Sequence, residues 1–143
     1  MTLRFAEPAE AEALAALHAT AFPLGEAWSA DAFETLLRMP GVFGLVAEGG
    51  LILARLAADE AEILTLAVAP AHRRRGLGDT LVETAVLHAA ALGGRAMFLE
   101  VAEDNAPALA LYGGLGFTRA GRRPDYYGPG RPAALLRRRL TAS

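Results

Sequence analysis

Glu100 and Tyr112 are the residues whose types and spacing suit acid–base chemistry. Glu100 stands within the otherwise apolar run 97–101, and a buried carboxylate is costly unless it is paired or used. Tyr112 falls on the next predicted helix, and a phenol, whose usual pKa is about 10, acts as an acid only where it is held in position. The pair is therefore a candidate base and acid. A solvent-facing or arginine-paired Glu100 and a core Tyr112 fit the same spacing.

A second distinctive segment, 73–78, reads Arg-Arg-Arg-Gly-Leu-Gly and lies between a predicted strand and a predicted helix. The first turn of a helix presents unpaired backbone N–H groups and the positive end of the helix dipole, which suit an anionic phosphate. Gly76 and Gly78 let the backbone approach a ligand closely, and arginines add charge-assisted hydrogen bonds to a pyrophosphate. The segment predicts an anion site, with a solvated arginine loop as the alternative. It is not the dinucleotide-binding fingerprint, because no third glycine follows.

Composition narrows the chemistry further. The chain has 143 residues, 53% of them hydrophobic, and a net charge of −2, which predict one globular domain, 1–143, and argue against a protein that coats nucleic acid. All 14 basic residues are arginine and cysteine is absent, which argues against a P-loop lysine and excludes a cysteine nucleophile. Neither serine lies in a G-x-S-x-G turn, and the histidines lack metal-ligand spacing, so no metal is expected. Without an apolar run of roughly 18 residues or a recognisable secretory leader, the expected location is the cytoplasm, away from membranes.

The elements that must position these residues begin with an antiparallel half. A short strand at 3–5 precedes a helix that Pro8 opens, and Ser29 caps a second helix. Glycines and acidic residues then mark two tight turns, Gly49-Gly50 and Asp59-Glu60. The turns divide the segment into three strands of a meander: 42–48, 51–58 and 61–68.

The pattern changes after Val68. A loop over 69–78 leads into a long helix that runs to about Leu92, and a buried strand follows at 97–101. Strand, helix and strand in that order predict a right-handed crossover between two parallel strands. The remaining predicted elements are a helix at 106–115 capped by Asn105, a strand at 117–120, a loop at 122–130 and a strand at 133–140. The fold class is therefore α/β: a mixed sheet flanked by helices, with an antiparallel N-terminal half and a parallel strand pair.

Several of these segments together resemble the GNAT superfamily of acyl-CoA N-acetyltransferases. The segments that carry the resemblance are Leu66-Ala67-Val68, 73–78, Asn105 and 111–117. Within the superfamily the chain is similar to the RimI-type enzymes, which acetylate the N-terminal alanine of a ribosomal protein. The narrower likeness rests on Phe22-Pro23, Trp28-Ser29, 99–101 and 122–127. The resemblance covers nearly the whole chain and implies an N-acetyltransferase that uses acetyl-CoA.

The resemblance also implies roles for individual positions. Glu100 would be the general base, acting through a water, and Tyr112 the general acid. The coenzyme A site would combine a strand backbone along the pantetheine arm, a loop around the pyrophosphate and an asparagine: Leu66, Ala67 and Val68; Arg73, Arg74, Arg75, Gly76, Leu77, Gly78 and Asp79; and Asn105. The first residue of a peptide acceptor would contact Phe22, Pro23, Leu24, Tyr126 and Tyr127. Plain helix capping by Asn105 and surface exposure of the two tyrosines are the alternatives.

An N-terminal α-amine is the favoured acceptor, because its pKa of about 8 lies well below the value of about 10.4 for a lysine side chain, and a modest base suffices. RimI-like chains usually carry acidic residues before the last strand, where this chain has Gly130-Arg131-Pro132, so its acceptor specificity stays open. A small-molecule amine is the second candidate acceptor. A non-catalytic acyl-CoA-binding module is the alternative of another class. The expected partners are the acceptor and at most a transient ribosomal-protein contact, with no dedicated nucleic-acid site and a monomeric or weakly dimeric state.

Overall fold

The computed structural model describes residues 2–141, which form one mixed sheet with helices on both faces. The elements, in chain order, are β1 (Arg4–Phe5), a 3₁₀ turn (Pro8–Glu10), α1 (Ala11–Ala21), α2 (Ala30–Leu37), β2 (Val42–Ala47), β3 (Gly50–Ala57), β4 (Glu60–Val68), a second 3₁₀ turn (Pro70–His72), α3 (Leu77–Ala91), β5 (Ala96–Ala102), α4 (Ala106–Gly114), β6 (Thr118–Arg123) and β7 (Ala133–Arg139). The strands lie in the order β1-β2-β3-β4-β5-β7-β6. The predicted α/β class is therefore confirmed.

The sheet is covered on both faces by apolar side chains. Leu81 of α3 and Met97 of β5 belong to one buried cluster, which packs α3 and α4 on the first face. Leu14 of α1, Phe33 of α2 and Leu51 of β3 belong to a second cluster on the opposite face. The central strands are therefore buried between two layers of helices. This is the usual arrangement for a sheet that contains parallel strands.

The parallel pair of strands is short and then opens. β4 pairs with β5 only over 60–62, where Glu62 lies opposite Phe98. Just beyond that point the register between β3 and β4 shifts, so that Leu64 has no partner residue on β3. A bulge of this kind bends the strand that carries the extra residue. We infer that the bulge directs β4 away from β5, and the two strands diverge into a cleft.

The first predicted hairpin turn is displaced by one residue. Ala47 pairs with Gly50, so the turn consists of Glu48 and Gly49. Gly49 has φ +81°, as this turn requires. Gly50 is a strand residue, and a Cβ there would lie 2.7 Å from Cδ2 of Leu77. The second glycine therefore permits the close approach of α3 to the sheet, a role that its place in a Gly-Gly pair does not indicate.

The second turn is displaced in the same way. Ala57 pairs with Glu60, so the turn consists of Ala58 and Asp59 instead of Asp59-Glu60. Ala58 has φ +56°, a conformation that sequence reasoning assigns to glycine or asparagine in preference to alanine. The alternation of β4 therefore begins one residue earlier than predicted.

β6 is longer than predicted. It runs to Arg123, whereas the sequence indicated a strand at 117–120 and a loop from 122. Pairing with β7 continues to its end, where Arg123 lies opposite Ala133, with one irregularity around Ala120. The neighbouring strand β7 supplies backbone partners that hold these arginines extended despite their lack of strand-forming side chains. Arg123 therefore has a fixed place on the sheet.

The helix-capping predictions are confirmed. The Ser29 hydroxyl accepts a hydrogen bond from the Ala32 N–H at 3.1 Å, and Oδ1 of Asn105 accepts one from the Ala108 N–H at 3.2 Å. Both side chains satisfy backbone donors that the first turn of a helix leaves unpaired. Asn105 thus fixes where α4 begins after β5, and so it also helps to fix the position of Tyr112 on that helix.

Candidate active site

The split between β4 and β5 opens into a cavity of about 1070 Å³. Its walls come from the diverging strands, from the loop after α1, from the start of α4 and from the loop between β6 and β7. It brings together eight residues that the sequence placed at the site: Phe22, Pro23, Leu66, Glu100, Asn105, Tyr112, Tyr126 and Tyr127. Residues from four separate parts of the chain therefore meet in one concave surface.

Glu100 projects into this cavity from the middle of β5. Its neighbours Leu99 and Val101 are buried beneath α3 and α4, so alternation along the strand directs Glu100 to the other face. Its side chain is 14% exposed, and Oε1 accepts a hydrogen bond from Nη1 of Arg123 at 2.7 Å. Oε2 is buried and has no hydrogen-bond partner among residues 2–141. The carboxylate is thus paired with an arginine through one oxygen, while the other oxygen is left without a hydrogen bond from the described residues.

Tyr112 lies on the cavity wall formed by α4. The side chain is 6% exposed, and its ring meets Phe117 edge-on with centroids 5.5 Å apart. Burial raises the pKa of Tyr112 well above its usual value, and the nearby Tyr127 raises it further. The hydroxyl consequently stays protonated at neutral pH. Tyr112 is both a core aromatic and a buried hydrogen-bond donor at the cavity.

Tyr126 and Tyr127 stand on the loop between β6 and β7 and line the cavity. Their rings meet edge-on at 4.9 Å and are 49% and 37% exposed. The Tyr127 hydroxyl donates to the main-chain oxygen of Glu100 at 3.3 Å. The pair is therefore partly a surface feature and partly a wall of the cavity, anchored to the strand that carries Glu100.

Leu24 does not belong to this site. It occupies a turn in which the Glu26 N–H donates to the Pro23 carbonyl at 3.0 Å and Gly25 adopts φ +95°. At the tip of that turn its side chain is 103% exposed and lies outside the cavity wall. The prediction that Leu24 lines the acceptor pocket is wrong for this geometry, because the turn points the side chain outward while Phe22 and Pro23 remain at the cavity.

The edge of β4 presents backbone groups to the cleft. Beyond Glu62 the strand keeps its pairing with β3 but no longer pairs with β5, so its free edge lines the opening. The side chains of Leu66 and Val68 pack toward α3, and Ala67, 1% exposed, packs on the opposite face. The main chain along this free edge can pair with an extended ligand, which is the mode by which a strand edge accepts an added strand.

The arginine loop, residues 73–78, is anchored at its N-terminal end. The His72 ring packs over the hairpin turn so closely that a Cβ on Gly49 would lie 2.2 Å from its Cγ. Nε of Arg73 donates to the Val68 carbonyl at 3.1 Å. Arg74 and Arg75 remain exposed, and Arg74 has φ +64°. The loop therefore holds two arginines in solvent beside the cleft on a fixed backbone.

The N-terminus of α3 is open to a ligand. Gly76 occupies the N-cap with φ +78°, and no side chain caps the first turn. The Thr80 N–H bonds the Gly76 carbonyl at 3.0 Å, while the N–H groups of Leu77, Gly78 and Asp79 belong to the turn that has no intrahelical acceptors. The Asp79 side chain is exposed in that first turn, so its backbone, and not its carboxylate, suits an anion. The terminus fits the predicted phosphate site.

Charged side chains that sequence reasoning did not assign also reach the cavity. Glu26 and Glu62 line it, and neither lies near the other in sequence, so no local pattern indicates them. Arg131, which stands where RimI-like chains usually have acids, lies 3.8 Å from Asp104 through its Nε. The arginine thus approaches an acid at the cavity wall instead of leaving an isolated positive charge there.

His18 holds the loop between α1 and α2 in place from within the core. Its Nδ1 accepts a hydrogen bond from the Trp28 N–H at 3.1 Å, which leaves the proton on Nε2 to be donated to Oγ1 of Thr65 at 2.8 Å. The ring is 0% exposed and stacks on Phe22 with centroids 4.2 Å apart. This histidine connects α1 to β4 and to the loop between α1 and α2. Its position within an alanine-rich helix did not indicate that role.

We expect His18 to make folding stability depend on pH. Burial lowers its pKa from 6.5 to about 4, so between these values the unfolded chain binds the proton more tightly than the folded one. The stabilisation is complete above about pH 6.5 and is lost as pH falls toward 4, by about 3 kcal/mol in all. Urea unfolding of the wild type and His18→Gln at several pH values should show a steeper decline in the wild type. Parallel declines would show that His18 does not titrate as argued.

A second cavity, of about 770 Å³, lies at the other ends of β4 and β5. Asp59, Arg95 and Arg137 are among its lining residues, and it contains none of the residues predicted for the site. Within residues 2–141 no group of three or more acidic or histidine side chains is placed to hold a metal ion. The same residues include no helix with the length and apolar character needed to cross a bilayer.

Comparisons with known proteins point to one family. A sequence model of the acetyltransferase (GNAT) family matches residues 12–117. Over 128 residues the chain is 35% identical to N-alpha-acetyltransferase RimI of Mycobacterium tuberculosis, covering 83% of this chain and 79% of that protein. It is 42% identical over 69 residues to the ribosomal protein bS18-alanine N-acetyltransferase of Escherichia coli K12, covering 48% and 47%. The crystal structure of the ribosomal-protein-S18-alanine N-acetyltransferase from Escherichia coli matches with a TM-score of 0.86 at 26% identity, covering 99% of this chain and 95% of that one.

These matches cover different shares of the aligned proteins. The alignments to the Escherichia coli relatives span about half the length of those proteins. The family model, in contrast, extends from α1 to the residue before β6, and so includes the cleft, the arginine loop and both candidate catalytic residues. The chain therefore belongs to the GNAT acetyltransferase family.

Proposed function

We propose that this chain transfers an acetyl group from acetyl-CoA to the α-amine of a protein N-terminus. The observation that carries the proposal is the meeting of two groups in one cavity, the buried and unpartnered Oε2 of Glu100 and the protonated hydroxyl of Tyr112. A proton acceptor and a proton donor in one cavity are what acyl transfer to an amine needs. The similarity to an N-alpha-acetyltransferase and to a ribosomal protein bS18-alanine N-acetyltransferase supports this acceptor.

The residues present fit coenzyme A. The uncapped turn at Leu77, Gly78 and Asp79 and the exposed Arg74 and Arg75 would hold its pyrophosphate. The free edge of β4, along 66–68, would pair with the pantetheine arm. Asn105 uses Oδ1 as a helix cap, which leaves its amide N–H groups for the ligand. The bound molecule supplies an acetyl thioester, the activated form of the group to be transferred.

The chain's own groups then account for the proton movements. Glu100 accepts a proton from the amine through a water at Oε2, and backbone N–H groups at the end of β4 stabilise negative charge on the acetyl oxygen. Tyr112 donates a hydrogen bond to the departing sulfur. In the exchange a C–N bond forms and the C–S bond breaks. No cysteine is available to carry the acetyl group, so the transfer is direct.

The acceptor side of the cavity suits a peptide end. Phe22, Pro23, Tyr126 and Tyr127 line this part of the cavity together with Glu26, so the first side chain of a peptide would meet apolar and aromatic groups beside one carboxylate. An α-amine with a pKa of about 8 is partly neutral at pH 7, so Glu100 needs no strong basicity to complete its deprotonation. A cytoplasmic location and a single-domain organisation remain predictions that accompany this proposal.

The test compares matched amines. Purified protein and acetyl-CoA are incubated with an alanine-starting peptide that contains one lysine, with the same peptide blocked at its N-terminus, and with polyamines and free amino acids. We expect mass spectrometry to find one acetyl group at the free N-terminus, and none on the blocked peptide. Faster acetylation of a small amine would assign the small-molecule function instead. Coenzyme A binding without turnover of any amine would assign the binding module.

A further inference from the structure

Arg123 reaches the candidate base from two strands away. It ends β6, whereas Glu100 lies on β5, and β7 runs between them. The β7 residue opposite Arg123 is Ala133, which in turn lies opposite Ala102 of β5. Since Ala133 presents only a methyl group, the arginine side chain crosses β7 and places Nη1 2.7 Å from Oε1 of Glu100. The contact depends on a small residue at that one position.

The same guanidinium contacts the loop between β6 and β7. Cζ of Arg123 lies 4.4 Å from the ring centroid of Tyr126, within the range of a cation–π contact. Tyr126 meets Tyr127 edge-on, and the Tyr127 hydroxyl returns to the main-chain oxygen of Glu100. Arg123 therefore links the Glu100 carboxylate to the loop between β6 and β7. That loop in turn contacts the main chain of β5 through the Tyr127 hydroxyl.

Global stability does not explain this arrangement. The Arg123 side chain is 58% exposed, and ion pairs at such sites contribute little to folding. The hydrogen bond to Glu100 and the negative charge of that residue raise the pKa of Arg123, and Glu62 is close enough to raise it further by a smaller amount. Glu62 and Glu100 stand on the neighbouring strands β4 and β5 and line the same cavity, and Arg123 forms an ion pair with Glu100 there. The effect of Arg123 is thus concentrated on Glu100 and its surroundings.

We propose that Arg123 is a positioning residue for the proposed acetyl transfer: it holds Oε1 of Glu100, so that Oε2 is the oxygen presented to the acceptor amine, and it fixes Tyr126 over the same carboxylate. This inference rests on the proposed function. A charge-assisted hydrogen bond sets the direction of a carboxylate more firmly than a neutral one. A base that is held in one orientation loses less rate to misplacement than one that rotates freely.

The test uses neighbouring arginines as a matched pair. Arg122 bonds Glu103 through Nε at 2.9 Å and does not contact Glu100, so Arg122→Gln is the control. We expect Arg123→Gln to lower kcat about tenfold with the KM for acetyl-CoA within about twofold of wild type, and Arg122→Gln to leave kcat within about twofold. Arg123→Lys, which keeps the charge but not the planar fork, should recover part of the loss.

A measurement without substrate separates this inference from the function. The ¹³C signal of the Glu100 side-chain carboxyl, recorded at pH 7, should move in Arg123→Gln and stay in place in Arg122→Gln. An unmoved signal, or kcat of Arg123→Gln within about twofold of wild type, would overturn the positioning role. Equal kcat losses in both variants, without recovery in Arg123→Lys, would overturn it also. A moved signal in a protein that acetylates no amine supports the contact and counts against the proposed function alone.

Discussion

Replacing Glu100 with glutamine is expected to lower kcat about a hundredfold or more, the usual cost of removing a general base. Glutamine keeps the shape of the side chain and an oxygen that Arg123 can bond, but it cannot take a proton at the position of Oε2. Steady-state rates with saturating acetyl-CoA and an alanine-starting peptide measure the loss. Coenzyme A affinity, measured by calorimetry, should stay within about twofold, because the substitution leaves the arginine loop and the β4 edge untouched.

Glu103→Gln is the matched control for this substitution. Glu103 is a carboxylate close by in the chain that is also bonded by arginines, Arg119 and Arg122, yet it does not line the cavity. The control should retain kcat within about twofold. The deficit of Glu100→Gln should also shrink as pH rises past about 8, because the acceptor amine then loses its proton without help. A deficit that is constant with pH, or a Glu103→Gln loss of similar size, would argue that Glu100 acts otherwise than as a base.

The parts of this fold that local sequence signals determine were predictable. Ser29 and Asn105 mark helix starts because their side chains satisfy backbone donors within the same turn. The order of strand, loop, helix and strand around Gly76 specifies the crossover and therefore the parallel pair. Each of these features depends on residues within a few positions of one another. That is the distance over which propensity and capping act.

The parts that arise between distant segments were not predictable. The bulge at Leu64 depends on how β3 and β4 align, and no pattern within β4 indicates it. The extension of β6 to Arg123 depends on pairing with β7, which overrides the weak strand propensity of its arginines. The contact of Arg123 with Glu100 follows from both the strand order and the small side chain of Ala133. Such features require the assembled sheet.

The acceptor side lies between these two cases. Phe22 and Pro23 line the cavity, whereas Leu24, to which the resemblance gave the same role, does not. The positive φ of Gly25 and the hydrogen bond from Glu26 to Pro23 turn that leucine into solvent. Gly25 is visible in the sequence, yet a glycine alone does not tell which neighbour lies at the tip of a turn. Loop side chains are therefore the least predictable part of this site.

Replacing Tyr112 with phenylalanine is expected to lower turnover at least about tenfold while coenzyme A still binds. Phenylalanine keeps the ring that packs against Phe117, so the variant should fold. Because burial raises the pKa of Tyr112, complete transfer of its proton to a thiolate of pKa about 8.5 is unfavourable. The hydroxyl therefore contributes mainly as a hydrogen-bond donor to the charge that develops on sulfur. One lost donor of this type in a dry site reduces the rate by about 10² to 10³ in comparable cases.

The decisive comparison for Tyr112→Phe is kcat against ligand affinity in the same preparation. If the hydroxyl acts on the leaving sulfur, kcat falls, whereas coenzyme A affinity and the thermal midpoint change little, since the ring and its burial are retained. A loss of affinity equal to the loss of kcat would instead assign Tyr112 to binding. Unchanged turnover would remove it from the mechanism, and the proton donor would then be sought at Tyr127, whose hydroxyl lies near the same cavity wall. Because burial also raises the pKa of Tyr127, that substitute would face the same thermodynamic constraint and would act by hydrogen bonding as well.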